Sequence, residues 1–365
     1  MIQLSSYITE AQVLMAQELI NQSNNVVILT HMSPDGDAMG SSLAIRHFLE
    51  AQGKQVNVIV PNAFPDFLAW LPKADLHIIY EKSKADADAI LEQAELIICT
   101  DFNDPKRIGS LGDKMLSLSC KKMMIDHHLH PADFPDLTIS YPACPSTCEL
   151  VYRLICELQR SDLPSTGIAD IQRSDLTNIA TCIYTGMMTD TGNFSFNSNH
   201  AEMYQIISEL VAAGVDKDAI YNRVFNAYSA DRMRLMGYCL YQKMKIFPEH
   251  HTALIYLSRK ELYRFNFQSG DAEGIVNLPL QIKDVYYSVF MREDKVNPSE
   301  VGLAGGSKNK IKISLRSQGD RPVNVFAKDI FGGGGHANAS GGEYYGPLPE
   351  AVQRFMDNYQ DYFVL

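Results

Sequence analysis

The sequence predicts an α/β protein: a mostly parallel sheet with helices on both faces, a helical connector, and a smaller α+β domain at the C-terminal end. Three observations carry that expectation. Short β-branched apolar runs alternate with helical stretches through the first half of the chain, and such alternation builds parallel sheets covered on both faces. After about residue 215 the pattern changes, and strand-like runs follow one another without crossover helices of their own. The chain has 365 residues, 46% of them hydrophobic, which is more than one core absorbs, since single cores stop growing at about 250 to 300 residues. The expected domains are residues 1–215, a connector over 216–244, and 245–365.

The elements follow in order. A helical opening gives way at Asn24-Asn25 to the run Val26 to Thr30, a buried-strand pattern that ends directly at His31. After the polar segment HMSPDGD, apolar residues at 39, 43, 44 and 48 with Gly53 beyond them have helix spacing and a C-terminal stop. VNVIV at 56–60 completes a βαβ unit, and LIICT at 96–100 and KMMI at 122–125 repeat the strand signal. The segment between Cys144 and Thr177 reads as long and polar. Residues 216–244 are helical, and HTALIYLS, VYYSVFMRE and KIKISLRS are the strands expected beyond them, with Gly305-Gly306 a hairpin turn. Trp70 and the tyrosines read as core or interface residues, because no basic and aromatic interleaving surrounds them.

Composition excludes several classes. The 32 Lys+Arg against 43 Asp+Glu leave a net charge of -11, which repels a long polyanion unless positive charge is gathered locally. It is gathered at residues 292–342, where basic residues outnumber acidic ones. The 7 cysteines include no C-x-x-C pair, and several sit inside apolar runs, so they read as buried free thiols of a reducing compartment. With no signal-peptide pattern and no run of eighteen apolar residues, the expected location is the cytoplasm and no membrane contact is expected.

Three expected strands end in residues that ligate metals: His31, Asp35 and Asp37 after the first, Asp101 after LIICT, and Asp126, His127 and His128 after KMMI. Ligand crevices of open parallel sheets lie outside the carboxyl ends of the strands, so these side chains can converge. Asp190 follows the apolar stretch ATCIYTGMM, and Thr191-Gly192 suggests a turn there. A lone Asp-Gly-Asp is ordinarily a turn, a lone His-His pair a surface or capping feature, and a single Asp a cap or an Asx-turn. Several such residues at strand ends instead require counter-charge, and mixed oxygen and nitrogen donors suit a hard to borderline divalent ion such as Mn²⁺. Two divalent cations are needed for this many ligands, a centre suited to phosphoryl chemistry. The lack of cysteine in these motifs argues against structural zinc.

At these residues the chain resembles the DHH phosphoesterase superfamily: HMSPDGDAMGSS, the strand-end Asp101, MIDHH at 124–128 and MMTDTGNF at 187–194 are similar to its motifs, in order. EGIVNLPLQIKDVYYSVFMRE, KISLRS and FGGGGHANASGG resemble the C-terminal DHH-associated domain, and the combination is similar to the bacterial nano-RNase branch. The resemblance implies one metal on His31, Asp35 and Asp101 and a second on Asp37, Asp101, His127 and Asp190, with Asp101 bridging. It implies that Asp126 orients a histidine and that His128 faces the substrate phosphate. The implied activity is Mn²⁺-dependent hydrolysis of very short oligonucleotides, with 3′-phosphoadenosine 5′-phosphate as a further substrate.

The glycines Gly332, Gly333, Gly334 and Gly335 with His336 lie in the basic region, where a glycine backbone can approach an anion closely and present N–H donors. Arg316 can offer a planar fork to phosphate or stack on a base. These six residues are the expected grip on a short oligonucleotide or nucleotide. The alternatives are a cyclic di-AMP phosphodiesterase, a single-strand exonuclease, a pyrophosphatase of the same superfamily, and a sensing module that binds nucleotides without turnover. The acidic balance weighs against long nucleic acid, and the oligomeric state stays open, with a homodimer one option.

Overall fold

The computed structural model describes residues 7–159, 172–268, 270–295 and 309–363. The chain forms two compact units, Met1–Ala227 and Tyr228–Leu365. Gly305-Gly306 and part of the segment between Cys144 and Thr177 lie outside the described residues.

The first unit is built on six strands, β1 (Asn25–Leu29), β2 (Gln55–Val60), β3 (Ile78–Ile79), β4 (Leu96–Thr100), β5 (Lys121–Asp126) and β6 (Leu137–Ser140). All pairings are parallel, and the spatial order is β3-β2-β1-β4-β5-β6. Chain progression reverses between β1 and β4, so their carboxyl ends flank a crevice where the connections leave in opposite directions. The sequence expectation of a parallel sheet holds, with β3 and β6 added to the four strands read from pattern.

The helices of this unit among the described residues are α1 (Glu10–Asn21), α2 (Gly36–Glu50), α3 (Lys84–Glu92), α4 (Ser110–Ser117), α5 (Thr147–Leu158), α6 (Arg173–Asp190), α7 (Ala201–Ala212) and α8 (Lys217–Phe225). Strand residues alternate between two cores. Val26, Ile28, Ile98, Met123 and Ile125 pack with α1, α2, α5 and α6, whereas Val27, Leu29, Ile97, Cys99 and Met124 pack with α3 and α4. Burial on both faces explains why these strands read as unbroken apolar runs.

The second unit holds α9 (Ala230–Tyr238), α10 (Arg259–Arg264), α11 (Asn324–Phe331), α12 (Leu348–Met356) and α13 (Tyr359–Tyr362). Its strands are β7 (Lys245–Phe247), β8 (Thr252–Leu257), β9 (Tyr287–Lys295), β10 (Asn309–Ser317), β11 (Gly334–His336) and β12 (Ala339–Tyr345), in the order β11-β12-β10-β9-β8-β7. Only β8 and β9 run parallel; the other pairings are antiparallel. Val289, Met291, Ile311, Ile313 and Leu315 bury one face of this sheet with Phe326, Phe355 and Phe363. The 7 cysteines are all free thiols, and among the described residues no helix is long and apolar enough to cross a membrane.

Candidate metal centre

The crevice at the β1/β4 reversal collects acids and imidazoles from five elements. His31 lies two residues past β1. Asp35 caps α2, its carboxylate accepting the backbone N–H of Asp37 and Ala38 at 3.1 Å each, and Asp37 follows in the first turn. Helix α2 thus begins within the segment that reads as a polar loop, because a capping carboxylate satisfies its first N–H groups. Asp101 follows β4 at a left-handed φ of 62°, while its N–H still bonds to the Ile125 carbonyl at 3.0 Å. Asp126 ends β5, His127 and His128 follow it, and Asp190 is the last residue of α6.

The distances sort these side chains into two groups that share Asp101. His31 Nε2 lies 3.4 Å from Asp101 Oδ2 and 3.7 Å from Asp35 Oδ1. His127 Nε2 lies 3.7 Å from Asp101 Oδ1, 3.9 Å from Asp37 Oδ2 and 3.3 Å from Asp190 Oδ2. Ligands of one ion with bonds of about 2.1 Å sit about 3.0 to 3.4 Å apart, and the donor separations of 3.3–3.9 Å lie at or slightly above that spacing, close enough for an ion to draw the side chains in. The two oxygens of Asp101 face one group each, Oδ2 toward His31 and Oδ1 toward His127.

Electrostatics give the same answer. Burial pushes Asp37 well above the usual carboxylate range, and the charges of Asp101 and Asp190 push it further. Burial alone would depress His31, but the Asp101 and Asp35 carboxylates outweigh it and raise the ring to about 10. A crevice that draws protons onto a carboxylate and an imidazole has surplus negative charge, and divalent cations would neutralise it. The residues therefore fit the two-cation site that their chemistry implies.

The histidines of the pair are held differently. His127 Nδ1 bonds to the Cys144 carbonyl at 2.9 Å, which turns Nε2 toward the carboxylates. His128 Nδ1 lies 2.8 Å from Asp126 Oδ1, while Asp126 Oδ2 accepts the His128 N–H at 2.8 Å. Fully buried Asp126 therefore holds His128. Burial, with the nearby Arg107 guanidinium second, holds His128 well below the ordinary imidazole range.

One set of contacts was missed in the sequence. The segment that reads as polar contains α5, and its N-terminus supports the centre. Asp37 accepts the N–H of Thr147 at 2.6 Å and of Cys148 at 2.9 Å, and Thr147 Oγ1 donates to Asp101 Oδ1 at 2.9 Å. The signal was present as S-x-x-E ahead of an apolar run, since Ser146 caps the helix through the Glu149 N–H. Glycine placement brings α2 and α6 together above this point. A Cβ on Gly40 would stand 2.5 Å from the Cys182 carbonyl oxygen, and one on Gly186 would stand 2.9 Å from Asp37 Oδ1.

The residues expected to grip substrate lie in the second unit. Arg316 is on β10. Gly332 ends α11 with φ 61°, and the N–H groups of Gly332 and Gly333 cap that helix at 3.0 Å each, so these two donors are already engaged. Gly334, Gly335 and His336 form edge strand β11 rather than an open loop. Gly335 has φ 133°, whereas Gly334 does not have a positive φ and has open space where a Cβ would stand.

Residues 25–187 match the DHH family, N-terminal domain, and residues 255–364 match the DHHA1 domain. The chain belongs to the DHH family. This DHH-family chain is 46% identical to an exopolyphosphatase-related protein from Bacteroides fragilis of known crystal structure, covering 98% of each chain with a TM-score of 0.86. It is 28% identical over 346 residues to the bifunctional oligoribonuclease and PAP phosphatase NrnA of Thermus thermophilus, covering 94% of this chain and 92% of the relative. It is also 24% identical to the cyclic-di-AMP phosphodiesterase PdeA of Listeria monocytogenes, over 89% of this chain and 45% of that one.

Proposed function

We propose that this protein is a metal-dependent phosphoesterase that hydrolyses di- to tetranucleotides to mononucleotides and also removes the 3′-phosphate of 3′-phosphoadenosine 5′-phosphate. The observation that carries the reading is the pair of donor groups joined by Asp101, with the Asp126-held His128 beside them. The similarity to NrnA along nearly the whole chain supports the substrate class.

His31, Asp35 and Asp101 would hold one cation, and Asp37, Asp101, His127 and Asp190 the other, with Mn²⁺ the first choice for these donors. Bound there, the pair supplies charge neutralisation at the phosphoryl oxygens and a water acidic enough to attack phosphorus. The chain's own groups do the rest. Thr147 and the first N–H groups of α5 keep Asp101 and Asp37 aimed into the crevice. With Nδ1 held by Asp126, His128 would face the substrate, and the Asp126 carboxylate stabilises the imidazolium that forms when the ring takes up a proton and from which the ring delivers one. Division of labour follows the chain: residues 1–215 carry the chemistry, and 245–365 grip the rest of the substrate through Arg316, the Gly332–Gly335 run and His336.

The test is single-turnover hydrolysis with Mn²⁺ of pApA, 3′-phosphoadenosine 5′-phosphate, cyclic di-AMP and a 24-mer. Fast cleavage of the first two is expected. Preference for cyclic di-AMP would move the protein to the cyclic dinucleotide phosphodiesterases, processive digestion of the 24-mer would make it a strand exonuclease, and binding without turnover would make it a sensor.

A further inference from the structure

Strand β10 divides its side chains cleanly. Ile311, Ile313 and Leu315 enter the core of the second unit, so Lys310, Lys312, Ser314 and Arg316 share the opposite face of the sheet. Register places Arg292 of β9 directly opposite Lys312, Asp294 opposite Lys310 and Ser288 opposite Arg316, and on the other flank Glu343 of β12 opposite Lys312. Like charges directly opposite one another destabilise a sheet, and here they are also half-buried, with the Arg292 side chain 21% exposed.

Of the neighbouring acids, one pairs with Arg292 itself and the other with Lys310, and neither pairs with Lys312. Asp294 Oδ2 stands 3.5 Å from Arg292 Nη2, and Glu343 Oε1 stands 3.4 Å from Lys310 Nζ. Arg259 adds a further cation at the Asp294 end through its bonds to the Asp294 carbonyl and Asn309. Lys312 makes no ion pair or side-chain hydrogen bond among the described residues, and burial together with Arg292 and Lys310 depresses its pKa. At the Arg316 end, Ser288 is 1% exposed and its hydroxyl has no hydrogen-bond partner. A half-buried Lys312 with no counter-ion of its own among the described residues, directly opposite Arg292, is suited to an anion that neutralises the pair.

We propose that Lys312 and Arg292 form a second phosphate subsite, distinct from the grip at Arg316, that takes a further phosphate of an oligonucleotide substrate. The inference rests on the substrate class proposed above. Four residues of strand separate Lys312 from Arg316, about 13 Å at about 3.3 Å per residue, and one internucleotide step is shorter than this. A tri- or tetranucleotide can reach both positions, and a dinucleotide cannot. The pair therefore sets a preference for longer members of the substrate range.

The experiment compares wild type, Lys312→Met, Arg292→Met and the charge-conserving Lys312→Arg, each full-length and loaded with Mn²⁺, on pApA and pApApApA. The methionine variants should raise KM for the tetranucleotide about 10-fold with kcat unchanged, the effect of one charge-assisted contact, and lower its log-log salt slope by about 1. Hydrolysis of pApA should stay as in wild type, and Lys312→Arg should retain tetranucleotide KM. Equal losses on both substrates, or none on either in a variant whose melt matches wild type, would overturn the subsite. Calorimetric binding of pApApApA in EDTA measures the same contact without turnover. If wild type cleaves neither substrate, the proposed function fails, and a weaker Kd in Lys312→Met would still establish the subsite.

Discussion

Thr147→Val isolates the support that α5 gives to Asp101. Valine keeps the β-branched shape at a position with no solvent exposure, and the backbone N–H to Asp37 survives. What disappears is the 2.9 Å bond from Thr147 Oγ1 to Asp101 Oδ1. A buried hydrogen bond to an ionised group contributes about 1.5 to 3 kcal/mol, and partners that orient metal ligands change affinity by about 10- to 100-fold. The Kd for Mn²⁺, measured by titrating the ion into chelator-stripped protein, should rise by that factor, and Thr147→Ser should recover most of it. Because Asp101 faces both donor groups, two binding events should weaken. A Kd for Thr147→Val within about twofold of wild type, in protein with an unaltered melt, would refute the argument, since a bond of this strength cannot vanish from a metal ligand without effect.

His127→Ala should lower the bound metal count, while His128→Ala should lower kcat and leave the count intact; elemental analysis beside single-turnover rates reads both, and the reverse pattern would exchange their roles. Gly186→Ala puts a methyl 2.2 Å from Cys148 Sγ and 2.9 Å from Asp37 Oδ1, so the packing of α6 on α5 and α2 must open, at a cost of about 1 to 3 kcal/mol seen as a lower Tm. Burial would raise Glu261, but Lys243, Tyr238 and Ser258 outweigh it and lower it to about 2 from an ordinary 4.5. A depressed carboxyl stabilises the fold above its unfolded value, and the contribution fades as pH falls from about 4.5 toward 2. Glu261→Gln should therefore lower Tm at pH 7, by the equivalent of about 1 kcal/mol for a partly screened group, and the gap to wild type should narrow at pH 3.5; a gap that widens there would reverse the sign.

Much of the centre was readable because βα alternation puts functional residues at strand ends. His31, Asp101 and the Asp126 to His128 run lie where the apolar stretches stop. Strand order was not readable, since pairing between distant segments leaves no mark on local pattern, and Ile78–Ile79 is too short to carry a period. Helix α5 was missed because it was read together with the polar stretch that follows it. Its own residues are mostly apolar, and its charged members Glu149 and Arg153 are buried and paired at 2.7 Å, so the helix lies in the core. The Lys312–Arg292 juxtaposition depends on the β9–β10 register, which no single strand encodes.

The reach of the donor set through the chain, from His31 to Asp190, has a consequence for the lifetime of the protein. No hairpin or single βα unit contains either donor group complete, so a disordered chain has little to offer a cation beyond scattered weak ligands. Binding would then be restricted to the folded first unit, and the ions would act as rivets across the β1/β4 crevice. Stabilisation by such a ligand grows with the logarithm of its excess over Kd, about 2.7 kcal/mol at a hundredfold excess. A cell short of the metal would thus lose the enzyme twice, through idle crevices and through faster proteolysis of the loosened chain.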